Sequence, residues 1–254
     1  MKDWFTIEEI DSNTFAISEY QHWEQTHCYL LNGETSSLLI DTGLGVANMK
    51  EIVASLTKNP IQVVTTHVHW DHIGGHRYFQ NIAVHKEEES WLTEKFPVPL
   101  AGVKSNLLHK PCDFPVGFDS EQYEIFQGQP SRILADGDMI HLGSRLIKVI
   151  HTPGHSPGHL CFYEAETGYL FTGDLVYTGK LDAFYPTTNP VDFMHSIKKI
   201  KALHPQKIFP GHFELSPDPA IIEAIDQAFT ELATQNKLKQ GNGIFKYEQF
   251  SLHL

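Results

Sequence analysis

The 254-residue chain has few cysteines, few basic residues and no long apolar run, and each shortage argues against a class of protein. Its three cysteines, Cys28, Cys112 and Cys161, are odd in number and widely spaced, which favours reduced thiols over a disulfide framework. Lys and Arg number 19 against 31 Asp and Glu. The net charge of −12 argues against a nucleic-acid partner, which needs clustered basic residues. Without about 18 consecutive apolar residues, no membrane-spanning helix is expected.

The beginning of the sequence also lacks a targeting pattern. Met1 to Glu9 contain no basic region followed by an apolar core, so a secretory signal is not expected and a cytoplasmic protein is predicted. Hydrophobic residues make up 41% and charged residues 20%, the balance of an ordinary globular protein. The length suits one large domain, which we expect residues 1–254 to form.

Histidine, by contrast, is abundant: there are 16, and many lie in short clusters. The densest cluster is Thr66-His67-Val68-His69-Trp70-Asp71-His72. It follows a β-branched, apolar run from Ile61 that is typical of a buried strand. A strand that ends in His and Asp places candidate metal ligands at the edge of a sheet, where the strands hold the loop rigid.

Three further clusters each follow a predicted strand. Gly or Pro accompanies each of them, as expected where a tight turn presents a side chain at a sheet edge. In the longest cluster we favour the central His155 as a ligand, and a supporting role for His151 and His159. The three clusters are His151 to His159, Phe171-Thr172-Gly173-Asp174 and Phe209-Pro210-Gly211-His212.

Apolar periodicity predicts the elements between these clusters. Residues 86–130 have weaker periodicity and are interpreted as an insertion that covers one face. Strands and helices follow a similar order in both halves of the chain, which suggests two sheets packed face to face with helices outside. Predicted strands cover 14–20, 27–31, 37–40, 61–66, 82–85, 131–134, 139–142, 145–150, 160–163, 169–172 and 207–209. Predicted helices cover the region of Met49 to Leu56, the segment after the cap Asn189, and about 216–239.

The candidate ligands are imidazoles and carboxylates, which suit zinc and also iron or manganese. One catalytic zinc needs about three protein ligands and an open position, so seven candidates are too many for one ion and about right for two. Two ions that share a carboxylate are therefore expected. The seven candidates are His67, His69, Asp71, His72, His155, Asp174 and His212.

With these motifs, the chain resembles the metallo-β-lactamase superfamily of metallohydrolases over nearly its whole length. The matching motifs include Ile40-Asp41-Thr42-Gly43, the first His cluster, Gly74-Gly75, Thr152 to His155, Gly173-Asp174 and Gly211-His212, all in the family's order. The resemblance implies an α/β fold of four layers, an αββα sandwich, with the site at one edge of the sheets.

The resemblance also implies a division of the ligands. His67, His69 and His155 would bind the first metal; Asp71, His72 and His212 would bind the second, and Asp174 would bridge the two. Asp41 matches a family residue that supports the metal loop from behind.

Among family members, the chain is most similar to cytosolic hydrolases of thioesters and lactones. Asp174-Leu175-Val176-Tyr177 resembles the Asp-x-x-Tyr of N-acyl homoserine lactonases, which implies that Tyr177 contacts the substrate carbonyl or leaving group. We therefore predict a dinuclear, zinc-dependent hydrolase that attacks a small acyl substrate with metal-bound hydroxide, assisted by Asp71 and Tyr177. Alternatives are a mononuclear iron persulfide dioxygenase, a metal-dependent phosphodiesterase and a non-catalytic binding protein.

Several residues near the ligands in sequence are candidates to contact substrate. Lys180 is the cation closest to the third cluster, and it is where an anionic substrate group would be expected to bind. No nucleic-acid or membrane partner is expected, and a homodimer is possible. Aromatic candidates for the pocket wall are Trp70, Tyr177, Phe184, Tyr185 and Phe213.

Overall fold

The structure is a computed structural model that describes residues 4–254. The chain divides into two compact units. The first comprises the described residues through Leu134 together with His141–Arg145, and the second comprises Ala135–Ile140 and Leu146–Leu254. The prediction of a single domain over residues 1–254 is neither confirmed nor contradicted by this division and stays a prediction.

The first unit contains a seven-stranded sheet whose strands lie side by side in chain order. Its first three pairings are antiparallel and its last three are parallel. The strands are β1 (Thr6–Asp11), β2 (Thr14–Ser18), β3 (His27–Asn32), β4 (Ser37–Ile40), β5 (Ile61–Val64), β6 (Ile82–His85) and β7 (Arg132–Leu134). The helices are α1 (Met49–Leu56), α2 (Trp70–Ile73), α3 (Glu89–Thr93) and α4 (Leu100–Leu107).

Residues 86–130 contribute to the core of this first unit. Leu92, Phe96, Val103 and Leu107 are buried in the same apolar cluster as the strands. Tyr123 is also buried there, and its hydroxyl donates to the carbonyl of Leu44 over 3.0 Å. The segment is therefore packed against the unit, and its description as an insertion stays a prediction.

The second unit contains a five-stranded sheet and a three-stranded sheet. The strand orders are β13-β11-β10-β9-β8 and β12-β15-β14. The strands are β8 (Met139–His141), β9 (Leu146–His151), β10 (Leu160–Glu164), β11 (Tyr169–Gly173), β12 (Gly179–Asp182), β13 (Lys207–Pro210), β14 (Ile244–Lys246) and β15 (Phe250–His253). The helices are α5 (Pro190–Lys201) and α6 (Ala220–Thr234).

Helix α5 begins where its cap was predicted. The side chain of Asn189 accepts from the backbone N–H groups of Val191 and Asp192, at 3.0 and 3.2 Å, and Pro190 occupies the first helical position, where no N–H is needed. Phe193 and Ile197 are fully buried, whereas Val191 is 44% exposed. The apolar face therefore follows the helical repeat of 3.6 residues.

Four short strands were not predicted individually: β1, β12, β14 and β15. Three of them form the three-stranded sheet, in which β12 pairs with β15 in parallel and β14 pairs with β15 in antiparallel orientation. Over residues 4–254, none of the helices combines the length and the apolar character needed to cross a bilayer.

Candidate metal centre

The candidate ligands of the first unit lie where β5 ends and α2 begins. The chain must turn closely here: a side chain on Gly74 would lie 2.2 Å from the carbonyl carbon of Leu44, so only glycine fits. The N–H of Gly74 donates to the carbonyl of Gly43, and the N–H of Thr42 donates to that of His72, both over 2.8 Å. The loop after β4 therefore holds the first His cluster from behind.

Within this unit the structure brings together the four residues predicted from the first cluster. The ring centroid of His67 lies 4.3 Å from that of His69 and 4.2 Å from that of His72. The Nε2 atom of His72 lies 3.7 Å from the nearer carboxylate oxygen of Asp71. His67, His72 and Asp71 are buried, and His69 is half-buried. Four nitrogen or oxygen donors thus crowd one buried corner, as a metal-binding group would require.

Asp41 organises the protonation of two of these imidazoles. One carboxylate oxygen accepts from the backbone N–H of Thr66 at 2.7 Å, and the other accepts from the Thr66 hydroxyl at 2.6 Å and lies 2.9 Å from Nδ1 of His72. Because the carboxylate only accepts, His72 carries its proton on Nδ1, which leaves the Nε2 lone pair available. The Thr66 hydroxyl donates its proton to Asp41, so it accepts from Nδ1 of His67 at 3.0 Å. His67 therefore also carries its proton on Nδ1 and leaves the Nε2 lone pair available. The supporting role predicted for Asp41 thus has a geometric basis.

A second layer behind these residues was not predicted. His76 is fully buried between the hydroxyls of Thr42 and Thr65, at 2.7 and 2.8 Å. Burial, with a smaller contribution from the nearby His72, lowers the pKa of His76 to about 3, so this ring is neutral. Glu88, which is also buried, accepts from the backbone N–H of Val68 in the middle of the cluster.

The candidate ligands of the second unit lie at one edge of the five-stranded sheet. Strands β11 and β13 are parallel neighbours that pair Gly173 with Pro210, so Asp174 and His212 leave the sheet side by side. Nε2 of His212 lies 3.2 Å from one carboxylate oxygen of Asp174, and Nε2 of His155 lies 3.5 Å from the other. All three side chains are buried. The structure therefore brings together the three residues that the later clusters contributed.

Gly154 is required beside the candidate ligands of the second unit. Its φ is +138°, and a Cβ there would lie 2.3 Å from the Cα of Phe193 in α5. Its carbonyl accepts from the N–H of Asn189 at 2.7 Å. The loop that carries His155 is therefore pressed against the N-terminus of α5, which only glycine permits.

His159 contacts the backbone of Asp174, and its predicted supporting role stays a prediction. The backbone N–H of Asp174 donates to Nε2 of His159 at 3.1 Å, so the His159 proton lies on Nδ1, where it reaches the hydroxyl of Thr152 at 2.9 Å. His151 lies outside this group. Its Nε2 is 2.9 Å from the carbonyl of Pro157, and the ammonium of Lys199 donates to the backbone carbonyl of His151.

Tyr177 is buried near the candidate ligands of the second unit. Its ring centroid is 5.7 Å from that of His212 and 5.8 Å from that of Phe213. Its hydroxyl donates to the backbone carbonyl of Lys180 at 2.5 Å. The Lys180 ammonium lies 3.4 Å from the Asp182 carboxylate and is 47% exposed.

The remaining pocket-wall candidates differ in exposure. Trp70 is buried, with its ring 6.1 Å from that of His22. Phe184 and Tyr185 are 42% and 48% exposed, and their rings meet edge to face at 5.9 Å. These two side chains therefore lie at the surface of the second unit.

Each unit carries buried His and Asp side chains at a sheet edge, which is the donor set of a metal-binding site. The model of the metallo-β-lactamase superfamily matches residues 22–212. The chain belongs to this superfamily, so the predicted family membership is confirmed and a metal-binding hydrolase is supported.

Two curated relatives are informative. The acyl-coenzyme A thioesterase MBLAC2 of Homo sapiens is 31% identical over 231 residues, which cover 83% of this chain and 82% of that protein. The atrochrysone carboxyl ACP thioesterase of Aspergillus fumigatus is 29% identical over 209 residues, covering 80% of this chain and 53% of that protein.

A solved structure shows the same fold. An archaeal metallo-β-lactamase superfamily protein from Sulfolobus tokodaii matches with a TM-score of 0.63 and 21% identity, covering 85% of each chain. The predicted α/β metallo-β-lactamase fold is therefore confirmed.

Proposed function

We propose that this protein is a metal-dependent thioesterase that hydrolyses small acyl thioesters of the acyl-coenzyme A kind. The observation that carries the proposal is the similarity to the human acyl-coenzyme A thioesterase along most of both chains. The fungal relative that acts on a carrier-protein thioester supports the same bond type.

The proposed metal centre uses the seven predicted ligands. His67, His69 and His155 would hold one divalent ion, Asp71, His72 and His212 a second, and Asp174 would bridge. The hydrogen bonds that Nδ1 of His72 and Nδ1 of His67 donate to Asp41 and Thr66 support this proposal because they leave Nε2 of both rings unprotonated. The donors are nitrogen and carboxylate oxygen only, which suits zinc and also iron or manganese.

When bound, such ions supply a nucleophilic hydroxide near neutral pH and polarise the thioester carbonyl. Asp71 would accept a proton from the attacking water and return it to the departing thiolate, so that thioester and water yield acid and thiol. Tyr177 would support the carbonyl oxygen only after its hydroxyl exchanges the bond to the Lys180 carbonyl for one to substrate. The buried Asp41 and His159 would keep their partners oriented throughout.

The test is an activity panel on metal-quantified protein, with acyl-CoA thioesters, acyl lactones, phosphodiesters and a persulfide as substrates. We expect two metal ions per chain and the highest kcat/KM on thioesters. Asp71→Ala should lower the metal content to one ion and reduce kcat about 1000-fold or more. Asp119→Ala is the control, because Asp119 only caps an exposed turn through the N–H of Glu121.

Other outcomes would decide against the proposal. One iron per chain with oxygen consumption on the persulfide would favour the dioxygenase, and turnover of phosphodiesters alone would favour the phosphodiesterase. Full thioesterase activity of Asp71→Ala with one metal would refute the dinuclear scheme.

A further inference from the structure

The outer face of the three-stranded sheet carries an unusual set of side chains. Along β12, β14 and β15, buried and more exposed residues alternate, so Leu181 and Leu252 point into the core. The other face, here called the outer face, is defined by the residues that alternate with them. These are Lys180, Asp182, Ile244, Lys246, Ser251 and His253.

The strand register places two of these cations on either side of a hydroxyl. Ser251 pairs with Lys180 on one side and with Lys246 on the other. Neighbouring strands lie about 4.8 Å apart, so the three side chains form one row across the sheet. Both lysines are exposed. Two ammonium groups flanking a hydroxyl make a suitable surface for a phosphate group.

The charges around this row leave it cationic. Asp182 is the carboxylate of the outer face; it accepts from Nδ1 of His253 at 2.6 Å and lies 3.4 Å from the Lys180 ammonium. Glu248 lies in the turn between β14 and β15 and is exposed. Lys180 is itself one of the two partners of Asp182. Over the six residues of the outer face, two lysines outnumber one carboxylate, so with His253 neutral this face has a net charge of +1 on a chain whose net charge is −12. Such a local reversal favours an anionic ligand.

An aromatic surface adjoins the cations. The ring of Phe184 stacks on that of His253, with centroids 4.3 Å apart and planes 9° from parallel. Tyr185 meets Phe184 edge to face, and both are more than 40% exposed. A nucleobase can stack on an exposed aromatic ring of this kind whichever base it is, because every nucleobase has a π-face.

The outer face also adjoins the candidate ligands of the second unit. The Tyr177 hydroxyl donates to the backbone carbonyl of Lys180, and the ring of Tyr177 lies 5.7 Å from that of His212. One side chain therefore separates the first residue of the cationic row from a proposed metal ligand in the same unit. We take this contact as the direction in which a flexible arm of a molecule bound to the outer face would run.

We propose that the outer face binds the phosphorylated adenosine of coenzyme A, with its phosphates on Lys180, Ser251 and Lys246 and its adenine on Phe184. This inference rests on the proposed thioesterase function and names the part of the substrate that the protein recognises. The pantetheine arm then carries the thioester away from the outer face to the metal centre. The chemistry fits a ligand that is at once polyanionic and aromatic.

The experiment compares metal-loaded full chain on one acyl group carried either by coenzyme A or by pantetheine, which lacks the nucleotide. In parallel, binding of adenosine 3′,5′-bisphosphate and of inorganic phosphate is measured by calorimetry. The variants are Lys180→Gln with Lys246→Gln, separately and together, and Phe184→Leu. Lys86→Gln is the matched control, because Lys86 is likewise exposed and lies 3.6 Å from a carboxylate, that of Glu87.

We expect wild type to show a lower KM for the coenzyme A ester than for the pantetheine ester. Each lysine variant should raise the KM for the coenzyme A ester about 3-fold, and the double variant about 10-fold, as for partly exposed ion pairs. The same variants should weaken nucleotide binding by similar factors, and added salt should weaken it in wild type. Lys86→Gln should behave as wild type.

Equal KM values for the two esters, together with no nucleotide binding, would overturn the inference while leaving the thioesterase proposal intact. If neither ester is hydrolysed, the thioesterase proposal fails, and the calorimetry still decides whether the outer face binds the nucleotide. Binding of inorganic phosphate alone, with no gain from the adenosine, would contradict the role given to Phe184.

Discussion

Replacing Asp41 by Asn tests how the protein sets the protonation of its proposed metal ligands. Asp41 has a φ of +60°, a left-handed conformation that Asn tolerates well, so the substitution keeps the backbone and changes the side chain alone. The carboxylate accepts three hydrogen bonds, from the N–H and hydroxyl of Thr66 and from Nδ1 of His72. An amide has one oxygen to accept and an NH2 group that only donates.

The consequence for His72 follows from this mismatch. If the amide oxygen keeps the N–H of Thr66, the NH2 group faces Nδ1 of His72. The imidazole then moves its proton to Nε2, the atom proposed to bind metal. Losing a supporting carboxylate of this kind typically lowers metal affinity 10- to 100-fold, about 1.4–2.7 kcal/mol. The metal-free protein should lose about 2 kcal/mol of stability from one charge-assisted hydrogen bond.

Two measurements check the prediction. Competition with a chelator gives the metal affinity of Asp41→Asn and wild type, and nitrogen NMR of the histidine rings reports which nitrogen of His72 carries the proton. Asp119→Asn is the control, since its carboxylate accepts one N–H on an exposed turn. A metal affinity within about twofold of wild type, with the proton still on Nδ1, would refute the reasoning.

Two further substitutions test other parts of the structure. Gly154→Ala should destabilise the protein by about 3 kcal/mol or more in urea unfolding, because the new Cβ would lie 2.3 Å from the Cα of Phe193. The control is Gly137→Ala, at φ +84° with nothing within 4 Å, which should cost only the backbone strain of about 1–2 kcal/mol. Equal losses of stability in the two variants would argue against the close approach at Gly154. Burial, opposed by hydrogen bonds from Trp4 and from the N–H of Leu44, raises the pKa of Glu19 from 4.5 to about 7. The protonated carboxyl is therefore favoured by folding, and about 3 kcal/mol of stability present below pH 4.5 should be lost as the pH rises through 7. Glu19→Gln should remove that part of the pH dependence of stability, measured by calorimetric unfolding at pH 5 and at pH 8. If stability changes between these two pH values by the same amount in the variant as in wild type, the assignment to Glu19 is contradicted.

The strands that lead to the candidate ligands were predictable because they are locally distinctive. Tyr169–Gly173 and Lys207–Pro210 begin at the residues expected from the sequence and end one residue later than expected, and each is buried after its first residue. A buried strand must be apolar at successive positions, and such a run is visible without knowing its neighbours. The clusters that follow these runs were visible for the same reason.

The three-stranded sheet could not be predicted in this way. Its strands have three or four residues each, and polar residues occupy their outer face. Asp182 pairs with His253, 71 positions later in the chain. A short strand of this kind is specified by its partner more than by its own residues, so local periodicity does not reveal it.

By itself the sequence determined which atoms are available for chemistry: seven His and Asp side chains, each close behind a strand, and a family motif that contains them. The tertiary structure alone decided which ring nitrogen of His67, His72 and His159 carries the proton, through Thr66, Asp41 and the backbone N–H of Asp174. It also decided which buried groups lie behind the clusters, such as His76 and Glu19. The reason is physical. Residue types and local patterns are written along the chain, whereas hydrogen bonds and desolvation depend on atoms that only folding brings within a few ångströms.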